Sequence, residues 1–192
     1  GYTLSPDGRF AAVFENGVIQ NETVYPEFLP IRVYDLASGE EVAALTGQSD
    51  YTSDAAFTAD GSRLVSYHTN GYLNVWDTAS WELVRRIPAA PGGGQLRFLP
   101  HDSRQLAVRL PGQPGQVAIW DIETGAIMAL LTPRYATWQE YKEAEFNRSG
   151  GPNPMAAIEP APGGEQVMVV MSTGEFRLWD IASSDYTVWH DV

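Results

Sequence analysis

The side chains able to do chemistry in this chain are few and far apart. His68, His101 and His190 are the only histidines and there is no cysteine. A metal site needs three or four His, Cys, Asp or Glu ligands converging at a regular spacing. His68 falls at the end of a strand-like run, His101 in a turn and His190 near the terminus, so no such series forms. No H-E-x-x-H, G-x-S-x-G or P-loop pattern is present. The run Pro91-Gly92-Gly93-Gly94 has the small residues of a phosphate cradle, but no helix carrying a lysine follows it. It reads as a connecting loop. Carboxylate pairs such as Asp121 and Glu123 lie in turns, and nothing spaces ligands as a calcium loop does. The expectation is a chain with no catalytic residue, no cofactor and no metal.

What recurs instead is an aspartate at the end of an alternating run. "IRVYD" (31–35), "LNVWD" (73–77), "VAIWD" (117–121) and "FRLWD" (176–180) each place apolar residues at every second position, the period of a strand. Three residues after each aspartate stands Ser38, Ser80, Thr124 or Ser183. An Asp at a strand end can accept the backbone N–H two residues on, and a glycine next, as at Gly39 and Gly125, adopts positive φ cheaply. Each run therefore ends in a turn, followed by another strand: "EVAAL", "WELVRRI", "AIMALL" and "DYTVW". Upstream of each lies a strand–turn–strand: "LSPDGRFAAV", "FTADGSRLVS", "FLPHDSRQLAV" and "IEPAPGGEQVMVV". One unit is four short antiparallel strands, a to d, and there are four units.

This pattern resembles the tryptophan-aspartate (WD) repeat family of β-propellers, in degenerate form, through Trp76-Asp77, Trp120-Asp121, Trp179-Asp180 and, in register, Tyr34-Asp35. The resemblance covers essentially the whole chain and implies an all-β propeller of four-stranded antiparallel blades. Four blades are expected here, as a partial propeller or one half of a larger ring. Their approximate limits are 1–47, 48–89, 90–132 and 154–192, with an inserted loop or short helix at 133–153. The family's Gly-His ahead of strand a is missing, and Asn70-Gly71 and Ser172-Thr173-Gly174 stand where an Asp is usual between b and c. The polar network that stiffens typical blades is therefore expected to be mostly absent, leaving apolar packing to hold them.

A stack of four blades leaves an apolar face bare at either end. A closed ring of four blades would answer that, but two other arrangements are favoured: the chain is the C-terminal portion of a larger propeller, or two copies complete one ring. An opening partway through strand a favours the fragment, whereas the last unit possesses its own strand d. The bulk composition is that of a folded chain, with 44% hydrophobic residues in 192. Twelve Lys plus Arg against 24 Asp plus Glu give a net charge of −12, and the basic residues are scattered, so a phosphate backbone would be repelled and no nucleic acid partner is expected. No apolar run has the roughly eighteen residues of a membrane span. Compartment is left open. Arg, Ala, Gly and Pro outweigh the lone lysine, a bias towards a GC-rich bacterial genome.

Three stretches exceed the minimal repeat: 15–30 between b and c of the first unit, 110–115 between b and c of the third, and 132–154 between d of the third and a of the fourth. In a propeller these connections emerge on one face, and insertions gathered on one face mark a binding surface. The longest holds a predicted short helix at about 136–146, with Trp138, Lys142 and Phe146 at i, i+4 and i+8 and Tyr141 beside them. Exposed, this is a contact patch; docked, it is a cap, the usual fate of aromatic residues on a short helix. With Tyr135, and with Tyr25 and Phe28 of the first insertion, these are the candidate protein-contacting residues. Glu15, Glu22 and Glu27 read as a solvated rim. The resemblance implies a non-catalytic protein-interaction scaffold whose partner is a protein or further propeller blades. Behind it stand a self-assembling module and the propeller part of a larger enzyme such as a peptidase.

Overall fold

The computed structural model describes residues 1–15, 29–47, 50–100, 102–110, 116–134, 155–171 and 175–189. Sixteen strands in chain order make four sheets of four. The first sheet holds β1 (Tyr2–Leu4), β2 (Phe10–Val13), β3 (Ile31–Asp35) and β4 (Glu41–Leu45). The second holds β5 (Thr52–Phe57), β6 (Arg63–His68), β7 (Tyr72–Asp77) and β8 (Leu83–Pro88). The third holds β9 (Leu96–Phe98), β10 (Gln105–Arg109), β11 (Val117–Asp121) and β12 (Ala126–Leu131), and the fourth β13 (Met155–Pro160), β14 (Gln166–Met171), β15 (Phe176–Asp180) and β16 (Tyr186–Trp189). Within each sheet the order is sequential and the pairings given are antiparallel, the meander of a propeller blade. The architecture is all-β, built of four propeller blades. Among the described residues no helix is long and apolar enough to cross a membrane.

Every blade turns its c–d corner in the same way. Asp35 Oδ1 accepts the backbone N–H groups of Ala37 and Ser38 at 2.9 and 3.1 Å, Asp77 Oδ1 those of Ala79 and Ser80 at 3.0 Å, and Asp121 Oδ1 those of Glu123 and Thr124 at 2.9 Å. Asp180 Oδ1 accepts the Ser183 N–H at 2.8 Å. The aspartate carbonyl then receives the N–H four residues on, from Gly39, Trp81, Gly125 and Ser184. That fourth residue must be left-handed, at φ of 74°, 59°, 77° and 56°. Glycine meets the requirement without strain, whereas Trp81 and Ser184 meet it at about 1 kcal/mol each or more. At Trp81 the cost is offset by packing: its ring stands edge-on to Phe10 and Phe57, at 5.3 and 6.5 Å between centroids.

The chain divides into two compact units, 1–96 and 97–192, each containing two blades. In the first, Ala12, Ile31, Val33 and Leu45 of one blade pack on Ala55, Phe57, Leu64 and Trp76 of the next. In the second, Ala107, Val117, Ile119 and Leu131 pack on Ile158, Val167, Val169 and Trp179. Full burial of the Val, Leu, Ile and Phe side chains among these contributes roughly 1.5–3 kcal/mol apiece. Each interface thus joins two unlike faces. One blade offers the face away from its Trp; the next offers the face that carries it.

The expected loss of the polar network is corrected in one blade. Trp76 Nε1 donates to Ser66 Oγ at 2.9 Å, Ser66 Oγ lies 2.9 Å from His68 Nε2, and His68 Nδ1 is 3.4 Å from Thr52 Oγ1. All four side chains are buried. Strands a and b supply what the missing Gly-His would have supplied, because Ser66 and His68 alternate onto the face that holds Trp76. In the third and fourth blades the Trp120 and Trp179 indole N–H groups are buried without a hydrogen-bond partner among the described residues, as expected.

Candidate interaction face

Antiparallel sequential strands put the a–b and c–d turns at one end of each sheet and the b–c and d–a connections at the other. The two ends differ in chemistry. At the first, short turns repeat: Ser5 Oγ donates to Asp7 and receives the Phe10 N–H, and Thr58 Oγ1 does the same with Asp60 and Arg63. An arginine entering strand b closes the corner in three blades, Arg9 on Asp35 at 3.2 Å, Arg63 on Asp77 at 2.7 Å and Arg104 on Asp121 at 2.5 Å. In the fourth blade the position before β14 is Glu165, and no such pair forms among the described residues.

These contacts hold the corner carboxylates below the usual range. For Asp35, Asp77 and Asp180 the first cause is a backbone N–H, from Ser38, Ser80 and Ser183 respectively. For Asp121, burial is the largest single influence and pushes upward, but the Thr124 and Glu123 N–H groups and Arg104 together outweigh it. A carboxylate so held is a structural acceptor rather than a general acid or base at neutral pH. The Asp121 and Glu123 pair is thus split, Asp121 being consumed by its turn and by Arg104. His68 also serves structure: burial lowers its pKa to about 4, with the Arg86 charge acting in the same direction and Asp50 against it.

The opposite end is where the sequence varies. All seven candidate residues, Tyr25, Phe28, Tyr135, Trp138, Tyr141, Lys142 and Phe146, lie outside the described residues, as do the predicted helix at 136–146, His101 and His190. The stems of those segments are described. The third-blade b–c connection is gripped by Leu110 N–H on Gln116 C=O at 3.1 Å and by Gln116 Nε2 on Thr132 Oγ1 at 2.8 Å. Ahead of the longest insertion, the Arg134 N–H donates to the Tyr186 hydroxyl at 3.1 Å, that hydroxyl donates to the Arg134 carbonyl at 2.8 Å, and the guanidinium lies 3.2 Å from Asp185. Leu29, at the foot of the first insertion, is half exposed.

In the second blade the same end is short and locked, a feature the sequence reading missed. The Pro91–Gly94 run is a loop, as expected, but a fixed one. Gly92 N–H donates to Thr69 C=O, Ala89 N–H to Gly71 C=O, and Gly94 N–H to Ser53 Oγ at 3.1 Å. The Tyr67 hydroxyl donates to Ala90 C=O at 2.6 Å. A Cβ on Gly71 would fall 2.7 Å from the Pro91 nitrogen, so only glycine lets the two connections touch. The signal available in sequence was the coincidence of Asn70-Gly71 with a glycine run one strand pair later. Among the described residues no cluster of three or more His, Asp or Glu could hold a metal ion.

Comparison with known proteins adds fold and a hint of context. No family model matches the chain. It is 25% identical over 123 residues to Shk1 kinase-binding protein 15 of Schizosaccharomyces pombe, a match covering 62% of this chain and 35% of that protein. It superposes with a TM-score of 0.70 and 16% identity on a chain from the crystal structure of a mitotic checkpoint complex, over 99% of this chain and 49% of the other. The chain thus spans about a third of the one protein and about half of the other. At those identities the likeness is one of fold, and with the sequential four-stranded sheets and their aspartate corners it identifies the architecture as that of β-propeller blades.

Proposed function

We propose that this chain is a non-catalytic protein-interaction scaffold of WD-repeat type whose contact surface is the end at which the b–c and d–a connections leave the blades. The observation that carries the reading is the contrast between the two ends. One is spent on repeated corners whose carboxylates are all committed to turn N–H groups. The other varies from the short, locked connections 69–71 and 89–95 of the second blade to the much longer segments 14–30 and 132–154 elsewhere. Length variation confined to one end is what a binding surface on a rigid scaffold requires. The relative's name as a kinase-binding protein and the structural neighbour's membership of a multiprotein complex support the same reading. A net charge of −12 favours a protein partner over a nucleic acid one.

Within that end, Trp138, Tyr141, Lys142 and Phe146, with Tyr135, are the proposed contact set, joined by Tyr25 and Phe28. Replacing residues 135–149 by a short Gly-Ser segment tests it. The expected result is loss of affinity-captured protein with unchanged far-UV circular dichroism and melting temperature. Loss of the fold instead makes the segment a structural cap and removes it as a contact site. Retained capture with an intact fold contradicts the proposal.

A further inference from the structure

In each unit the seam between the two blades holds a polar side chain at the same repeat position, three residues before the corner aspartate. It is Asn74 in the first unit and Arg177 in the second. The pairings of Ser66 with Asn74 and Leu64 with Trp76 put Asn74 on the sheet face that packs against the preceding blade. Those of Val169 with Arg177 and Val167 with Trp179 do the same for Arg177. Asn74 is 1% exposed and Arg177 9%.

The first seam matches its arginine internally. Arg86, paired with Asn74, donates Nε–H to Asn74 Oδ1 at 3.1 Å, and its Nη2 reaches the Gly47 carbonyl of the preceding blade. What stays unpaired there is a neutral amide N–H, on Asn74 Nδ2. In the second seam the unpaired group is charged. Arg177 Nε donates to Glu175 Oε1 at 2.5 Å, and the guanidinium carbon lies 5.4 Å from the centre of the Tyr186 ring. The preceding blade gives it no carbonyl as Gly47 does for Arg86: past β12, the Arg134 N–H and C=O are both engaged by the Tyr186 hydroxyl, and the Arg134 guanidinium by Asp185. Arg177 Nη1 is buried with no hydrogen-bond partner among the described residues. A charged donor held out of water without an acceptor is costly to the fold, and an acceptor supplied from outside removes that cost.

We propose that Arg177 receives the carboxylate of an Asp or Glu side chain from a bound protein partner, at the connection end of the seam between the third and fourth blades. A guanidinium offers a planar fork whose geometry matches a carboxylate, and Glu175 meets it at Nε, leaving Nη1 for a second oxygen donor's lone pair. A singly charged carboxylate suits the place better than a phosphate group, because Glu175 and Asp185 already stand at this seam and the chain carries a net charge of −12. The inference rests on the interaction reading above and adds to it the chemistry of one contact.

Titrating isotope-labelled chain with N-acetyl-glutamate amide, followed by NMR through the arginine Nε–H resonances, tests the contact without any partner. One resonance, missing from Arg177→Lys protein, should shift saturably at millimolar concentration. The uncharged glutamine analogue and inorganic phosphate, at equal ionic strength, should bind several-fold more weakly. If Arg177→Lys does not fold, Glu175→Gln identifies the resonance instead, since neutralising the Nε–H acceptor moves it. No saturable shift assigns the unpaired N–H to a buried water and overturns the proposal; an equal response to glutamine or a tighter one to phosphate overturns it too. The chain trimmed at 135–149 separates this inference from the reading it rests on. Glutamate binding and protein capture both kept on trimming uphold Arg177 and remove the loop set, whereas capture lost on trimming with Arg177 unmoved by glutamate does the reverse.

Discussion

The two ends of the second blade differ less than those of the first and third, and the difference separates structure from function. At the corner end all four blades solve one problem alike: an aspartate accepts its own turn's N–H groups and a left-handed residue completes the bend. At the connection end the second blade is closed by the Trp76–Ser66–His68–Thr52 chain beneath and the Ala89–Gly94 loop above. The first and third blades extend their connections there. On the reading proposed above, the repeated end serves stability and the varied end serves recognition.

Acidification gives the largest single effect. The His68 pKa is depressed to about 4 in the fold, so between the unfolded value of 6.5 and 4 the unfolded chain binds the extra proton. Stability is full above pH 6.5, falls as pH drops towards 4 and levels out below, by about 3 kcal/mol in all. The corner aspartates are lowered too, and their contribution is present above the ordinary carboxylate value and lost as pH falls below it. Urea melts from pH 7 to 3 should therefore show two successive losses, and His68→Gln should erase the first alone. A profile flat between pH 6.5 and 4 would place no buried neutral histidine at the connection end.

Trp81→Gly should cost about 2–3 kcal/mol, since the edge contacts with Phe10 and Phe57 outweigh the relief of left-handed strain. Asp77→Ala should cost about 1–2 kcal/mol by stranding two turn N–H groups and Arg63. Ser184→Gly, at the same corner position as Trp81 but without its packing, should gain about 0.5–1 kcal/mol. Cutting 111–115 to a two-residue turn should change the unfolding free energy from urea melts by no more than about 0.5 kcal/mol. Equal sensitivity at both ends would dissolve the contrast.

The corners and strands were legible because they are local: period-two alternation and an aspartate followed by Ser or Thr act within ten residues. Trp81 was not legible as a left-handed residue, because its ring packs against Phe10 of the neighbouring blade and Phe57 at the far edge of its own. His68 read as an isolated strand-end histidine, and only the pairing of β6 with β7, which brings Ser66 beneath the Trp76 indole, shows its role. The candidate aromatic residues belong to segments outside the described residues, so their reading rests on sequence.

The claim that recognition belongs to the connection end is tested most directly by quantitative affinity capture with three proteins: wild type, a chain with 16–28 and 135–149 both trimmed to short Gly-Ser turns, and a chain with Arg9→Glu and Glu123→Lys at the corner end. Capture lost from the trimmed chain alone, with all three equally folded, is the expected result. Capture lost from the corner variant and kept by the trimmed chain would contradict it.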